Sequence, residues 1–164
     1  MLDLLAQLPQ APFDRPPIDW HALAPELVLL GFGALVTLID VIFLERGRAW
    51  ASALAGLGLL ATVVPILTLW NDVDNDSPRV LFEGAYVVDR YALVMKLLFV
   101  LVGYVVVLLS TNYIAEGDYW ESEYYGLLLA SIMGMVVMAS ARDLISMFVA
   151  LELLSIPAYL LAAW

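Results

Sequence analysis

The sequence predicts an all-α protein, a polytopic transmembrane helix bundle of about five helices. Three observations predict it. Of the 164 residues, 63% are hydrophobic and the mean hydropathy is +0.91, against about 45–50% apolar content in soluble domains. Five apolar runs, at 24–44, 51–70, 88–114, 124–141 and 143–164, each come near the ~20 residues a bilayer crossing demands. None alternates apolar and polar residues with period two, which disfavours barrel strands. A backbone in lipid must satisfy its own hydrogen bonds, which leaves helices.

Residues 1–23 carry Pro9, Pro12, Pro16 and Pro17 and read as an irregular leader. The run at 24–44 opens on Pro25 and Glu26, ordinary helix-start chemistry: proline fits the first turn and an acid favours the positive end of the helix. The run at 51–70 contains Pro65. The run at 88–114 is the longest and holds Lys96. The fourth follows an acidic connection, and Arg142-Asp143 starts the fifth. Aromatic side chains gather at the ends of the runs, at Trp50, Trp70, Tyr91, Tyr113, Tyr119, Trp120, Tyr124, Tyr125 and Trp164, as an interfacial belt does. Small residues such as Gly31, Gly33, Ala55, Gly58, Ala130, Ser131 and Gly134 permit close helix contact. The last run is expected to kink near Leu153, because Pro157 offers no N–H to the Leu153 carbonyl.

The formal net charge of −10 argues against nucleic acid as a partner, since that needs a basic face. The acids concentrate in two connections, Asp72, Asp74, Asp76 and Glu83 in one and Glu116, Asp118, Glu121 and Glu123 in the other. Both are expected to be solvated loops that carry no site. The chain has no cysteine and one histidine, His21, so thiolate sites are excluded and no metal cluster is expected. No phosphate-binding glycine loop, haem-type histidine pair or Ser/His/Asp set is present. By the positive-inside rule Arg46 and Arg48 alone would place the first connection inside, but Arg15, Arg79, Arg90 and Arg142 fall on the opposite side and outnumber them. That count places the N-terminus inside.

The residue that carries most information is Glu152, in Ala150-Leu-Glu-Leu-Leu-Ser-Ile-Pro157. An acid at a helix centre costs roughly 2.5–3.5 kcal/mol on insertion scales, so such residues usually face a protein interior or water. Ser155 and the carbonyl freed by Pro157 lie nearby, and the three groups suit water and protons. The alternative is an acid that snorkels to the interface. Lys96 has two readings as well. Its stem reaches the interface with Asp89 as partner, or it is a burial-tuned lysine that loads and unloads a proton. Asp40, near Glu45, Arg46 and Arg48, reads as a locally paired interfacial charge.

Two stretches carry a family resemblance. One is Glu123-Tyr-Tyr-Gly-Leu-Leu-Leu-Ala-Ser131. The other runs from Gly134 through Ser140-Ala-Arg-Asp143 to Glu152-Leu-Leu-Ser-Ile-Pro157 and Tyr159. Together they resemble the fourth and fifth helices of the N subunit of NADH–quinone oxidoreductase, an antiporter-like subunit of respiratory complex I. Pro25-Glu26 and Val88-Asp-Arg-Tyr-Ala-Leu with Lys96 are similar but less specific. The resemblance covers residues 24–164 and implies a fold of about fourteen helices with two inverted five-helix repeats. It implies that the first repeat begins at the fourth helix, and that Glu152 is the family's buried glutamate, paired with a lysine two helices later. It implies an N-terminus facing the periplasm, against the charge count.

It further implies a multi-pass protein of the cell inner (plasma) membrane, a subunit of a translocase with no redox site of its own. Quinone and NADH would be used by the whole complex, and the partners would be other membrane-arm subunits and lipid. The expected function is proton translocation through Glu152, with Lys96 as a second candidate, coupled to quinone reduction elsewhere. The apolar ending at Trp164 reads as the first part of a longer subunit. Two alternatives stay open: a subunit of a related cation/proton antiporter, and a membrane scaffold without transport.

Overall fold

A computed structural model of the chain describes residues 18–43, 48–73, 77–116 and 121–163. Among the described residues are five α-helices and one small hairpin. The helices are α1 (Ala24–Phe43), α2 (Arg48–Asp72), α3 (Arg90–Glu116), α4 (Glu121–Ser140) and α5 (Leu144–Ala162). Four of them, α2 to α5, are long and apolar enough to cross a membrane by length and composition, and the described apolar stretch of α1 is Ala24–Ile39. This is a multi-pass, all-α membrane architecture, and the five helices match the five apolar runs.

Inward faces follow helical periodicity. In α2 the buried positions are Ala51, Ala55, Leu59, Thr62, Ile66 and Leu69, steps of three and four that place one stripe on one side. In α3 the stripe is Leu93, Lys96, Val100 and Val107, and in α4 it is Ser122, Tyr125, Leu129, Ile132, Val136 and Ser140. Helices α1 to α4 share the core around Leu29, Leu59, Leu93 and Ile132. Helix α5 is different: it packs along α4 and buries only Ala150 and Pro157 of its own residues. Leu144, Ile145, Phe148, Val149 and Tyr159 of α5 are exposed.

Glycine decides the α4–α5 contact. A Cβ on Gly134 would lie 2.4 Å from the Leu154 backbone nitrogen, so only a residue without one lets the backbones meet. Ser131, one turn back, donates its hydroxyl to the Leu154 carbonyl at 3.2 Å. Helix α5 continues as one helix through Pro157, so the proline does not end it. Membrane helices tolerate a proline that withdraws one backbone donor. Helix α2 likewise runs through Pro65. At its start α5 is capped by Asp143, whose side chain accepts from the Ser146 N–H at 2.9 Å.

Connections depart further from expectation. The acidic stretch between α2 and α3 is not simply a loop: it folds into antiparallel strands β1 (Arg79–Leu81) and β2 (Tyr86–Val88), with Leu81 opposite Tyr86. Leu81, Tyr86 and Val88 are buried, as is Val73. Too few apolar side chains alternate there for the sequence alone to declare a strand. Asp72 and Glu83 are exposed as expected, whereas Asp74 and Asp76 lie outside the described residues. So do the expectations for Asp118, for the Glu116 and Asp40 side chains, and for most of the leader. In the second acidic connection Glu123 is exposed and Glu121 half-buried. Tyr125 is a core residue rather than part of an interfacial belt, with its ring edge-on to Tyr124.

Gly134→Ala is expected to force α4 and α5 apart and to cost about 1–3 kcal/mol, the usual range for overpacking. Gly31, with nothing within 4 Å of an added Cβ, is the control: Gly31→Ala should be neutral or stabilising by up to ~1 kcal/mol. Thermal denaturation of the two variants in detergent checks the contrast.

Candidate functional site

The starts of α1, α3 and α5 and the ends of α2 and α4 lie at one end of the bundle, and the hairpin covers that end. Under it three polar side chains meet. Glu26 comes from the first turn of α1, Lys96 from two turns into α3, and Tyr86 from β2. The Lys96 ammonium donates to Glu26 Oε1 at 2.7 Å and to the Tyr86 phenol oxygen at 3.0 Å. The Tyr86 phenol donates to the same Oε1 at 2.5 Å. Lys96 is 0% exposed, and Glu26 and Tyr86 are 6% exposed each. The Lys96 nitrogen also sits 5.1 Å from the centroid of the Tyr86 ring, within range of a cation–π attraction.

The helical stripe explains the placement. Lys96 falls on the same face of α3 as Leu93, Val100 and Val107, so its side chain must go inward. Glu26 lies one turn before Leu29 on α1 and is carried to the same interior. A buried charge without a partner costs far more than a paired one, and each of these charges is the other's partner. Burial pushes the Tyr86 phenol well above its ordinary value, and the charge of Glu26 and the hydrogen bond to it push the same way. Tyr86 therefore stays a donor. Glu26 Oε2 is buried with no hydrogen-bond partner among the described residues.

Two sequence readings are corrected here. Asp89 is not the partner of Lys96; it pairs with Arg142, and Lys96 is held by Glu26 instead of reaching water. Asp89 precedes α3 in the chain, and its carboxylate caps the Ala92 N–H at 2.7 Å, which directs it away from the core. Glu26 is more than helix-start chemistry. The sequence singled it out for the wrong reason, because a first-turn acid is a common feature and its ionic partner is 70 residues away.

Glu152 stands apart from this cluster. It is half-buried in the middle of α5, and so is Ser155. The structure brings Glu152 and Lys96 onto different helices that do not pack together. The carbonyl next to Glu152 that takes a hydroxyl is that of Leu154, and the donor is Ser131 from α4 rather than Ser155. The Arg142-Asp143 pair serves structure: Asp143 caps α5, and Arg142 holds Asp89.

A separate ionic cluster occupies the rim of the same end. Arg79 reaches Asp19 at 2.7 Å and Asp72 at 3.3 Å. His21 lies 3.5 Å from Asp72 and 3.1 Å from the Thr68 hydroxyl. Among the described residues no three His, Cys, Asp or Glu side chains gather as a metal site.

No family model matches the chain. Curated relatives do. The chain is 34% identical over 151 residues to NADH-quinone oxidoreductase subunit N 1 of Koribacter versatilis, covering 89% of the chain and 30% of that protein. It is 35% identical over 147 residues to NADH-quinone oxidoreductase subunit N of Anoxybacillus flavithermus, covering 88% and 29%. Among solved structures, a chain of respiratory complex I from Thermus thermophilus, determined with bound aureothin, superposes with a TM-score of 0.66 at 31% identity, covering 85% of this chain and 29% of that one. The chain thus spans about three tenths of the length of the curated relatives it matches.

Lys96→Met leaves the Glu26 carboxylate buried without its cation and is expected to destabilise by about 3–5 kcal/mol, as removal of one partner of a buried pair does. Adding Glu26→Gln to Lys96→Met should recover most of that loss. Thermal denaturation of the wild type, both single variants and the double variant tests this; independent, additive losses would show that the two charges do not depend on each other.

Proposed function

Over the part of their length that it spans, the chain belongs to the family of NADH–quinone oxidoreductase N subunits, and from that premise we propose that it forms part of the membrane arm of a proton-translocating complex. In this reading it works in the cell inner (plasma) membrane beside other membrane-arm subunits. It binds no cofactor, and the NADH and quinone chemistry takes place elsewhere in the complex. Long-range coupling between that chemistry and this arm is then a free-energy linkage between separate sites.

The observation that carries the reading is Glu152, a half-buried acid in the middle of the apolar helix α5. An acid at that position needs a compensating environment. Apolar surroundings make a carboxyl keep its proton, and an approaching cation makes it give the proton up. In the resembling subunits a lysine on a later helix supplies that cation. A group of this kind loads a proton when the cation withdraws and releases it when the cation returns. The Lys96–Glu26 pair extends the reading, because it is a second protonatable unit inside the same apolar bundle.

Glu152→Ala in the complete complex is expected to lower both proton uptake and coupled quinone reduction severely while the complex still assembles. Glu152→Asp, which keeps the charge and shortens the reach by one methylene, should do less harm. The checks are proton uptake and NADH-driven quinone reduction in membrane vesicles, with the amount of assembled complex measured alongside. Full proton uptake by an assembled Glu152→Ala complex would falsify the role given to Glu152.

A further inference from the structure

The hairpin that covers the buried pair is joined to two other parts of the molecule. Through its side chain, Tyr86 holds Glu26 and Lys96. Through its backbone, Tyr86 bridges Ala141 in the short link between α4 and α5. The next residue in that link, Arg142, donates its N–H to the Ala85 carbonyl at 2.9 Å, and its guanidinium holds Asp89 at the far end of the hairpin. One turn of hairpin therefore touches the ion pair on one side and the start of α5 on the other. Beyond this junction, the main packing of helix α5 among the described residues is along α4.

We propose that Tyr86 is a positioning residue that couples the charge on the Glu26–Lys96 pair to the placement of α5. The inference rests on the reading of Glu152 as the proton carrier only in giving that placement a purpose. The coupling follows from bond chemistry. Glu26 Oε1 accepts from both Tyr86 and Lys96, and a charged acceptor makes each bond about twice as strong as a neutral one. The oxygen with no hydrogen-bond partner among the described residues is Oε2. When hydronium at the hairpin end gives a proton to Oε2, one O–H bond of the hydronium breaks, one O–H bond forms on the carboxyl, and a water molecule is left. The cluster goes from net neutral to one positive charge, and Oε1 becomes a neutral carbonyl oxygen. The phenol is then held less firmly, and the hairpin with it. Loss of the proton restores the grip.

The groups that set this balance are few. Lys96 from α3 and Tyr86 from β2 are in contact with Glu26. Asp89 and Arg142 form the next pair, at the hairpin and the α4–α5 link. Asp19, His21, Asp72 and Arg79 from the α1 approach, α2 and β1 are joined among themselves at the rim.

The test is a mutant cycle read by hydrogen–deuterium exchange on the assembled complex, because coupling between two sites needs a measured non-additivity. The reporters are the Arg142 N–H, bonded to Ala85, and the first-turn amides of Ser146 and Met147. Neutralising the pair with Glu26→Gln and Lys96→Met together should speed their exchange several-fold. Tyr86→Phe, which removes only the phenol oxygen, should do the same. The triple variant should exchange no faster than Tyr86→Phe alone. Unchanged exchange on neutralising the pair, or a triple variant whose effect is the product of the two, would overturn the proposal and leave the hairpin a passive cover. If the neutral pair does not assemble, Glu26→Asp replaces it in the same cycle with the same two outcomes. A second readout is the pH profile of proton uptake, expected to shift in Tyr86→Phe; a role limited to packing would lower the rate without moving the profile. Exchange does not depend on transport, so a failure of the role given to Glu152 and a failure of this coupling give different results.

Discussion

A lysine ammonium inside an apolar bundle must be met by a carboxylate, and meeting it fixes much else. Lys96 points inward because the helical stripe of α3 points inward. Its charge can be carried there only if an acid arrives at the same depth, and Glu26 does so because α1 and α3 start at the same end of the bundle. The pair still needs cover from water and lipid. The hairpin supplies it, with Tyr86 as the third member of the hydrogen-bonded set. Thus the register of α1 against α3, the presence of β1 and β2, and the burial of Leu81 and Val88 all serve one electrostatic requirement.

The fold was legible from the sequence because its signal is long and redundant. Five apolar runs became five helices with ends within a few residues of those expected. The site was legible only in part. Lys96 stood out as a charge within a span, but its partner did not, for a physical reason. In a bundle surrounded by lipid both the inward and the outward faces are apolar, so hydrophobic pattern does not separate them. Leu30 and Leu35 of α1 are as apolar as Leu29 and Val36, yet the first pair is exposed and the second buried. Without that contrast Glu26 reads as any first-turn acid.

The same end of the bundle gathers most of the described arginines. Arg79, Arg90 and Arg142 all lie at the hairpin end, and each is engaged locally. Arg79 and Arg142 hold carboxylates. Arg90 donates to the Val73 carbonyl at 3.2 Å and lies over the Trp70 ring. Held by local partners, these arginines tie the fold together at that end.

The brief link between α4 and α5 has a meaning for biosynthesis. Only Ala141, Arg142 and Asp143 separate the two helices, and their backbones touch at Gly134. So short a tether makes it costly for one helix to enter the bilayer and leave the other behind. The two are suited to leave the translocation machinery as one antiparallel unit. Glu152 then crosses the hydrocarbon with a neighbour already against its helix, and the Ser131 hydroxyl already engaged with the adjoining turn. For a chain that must carry an acid through lipid, this tether makes the order of assembly part of the sequence.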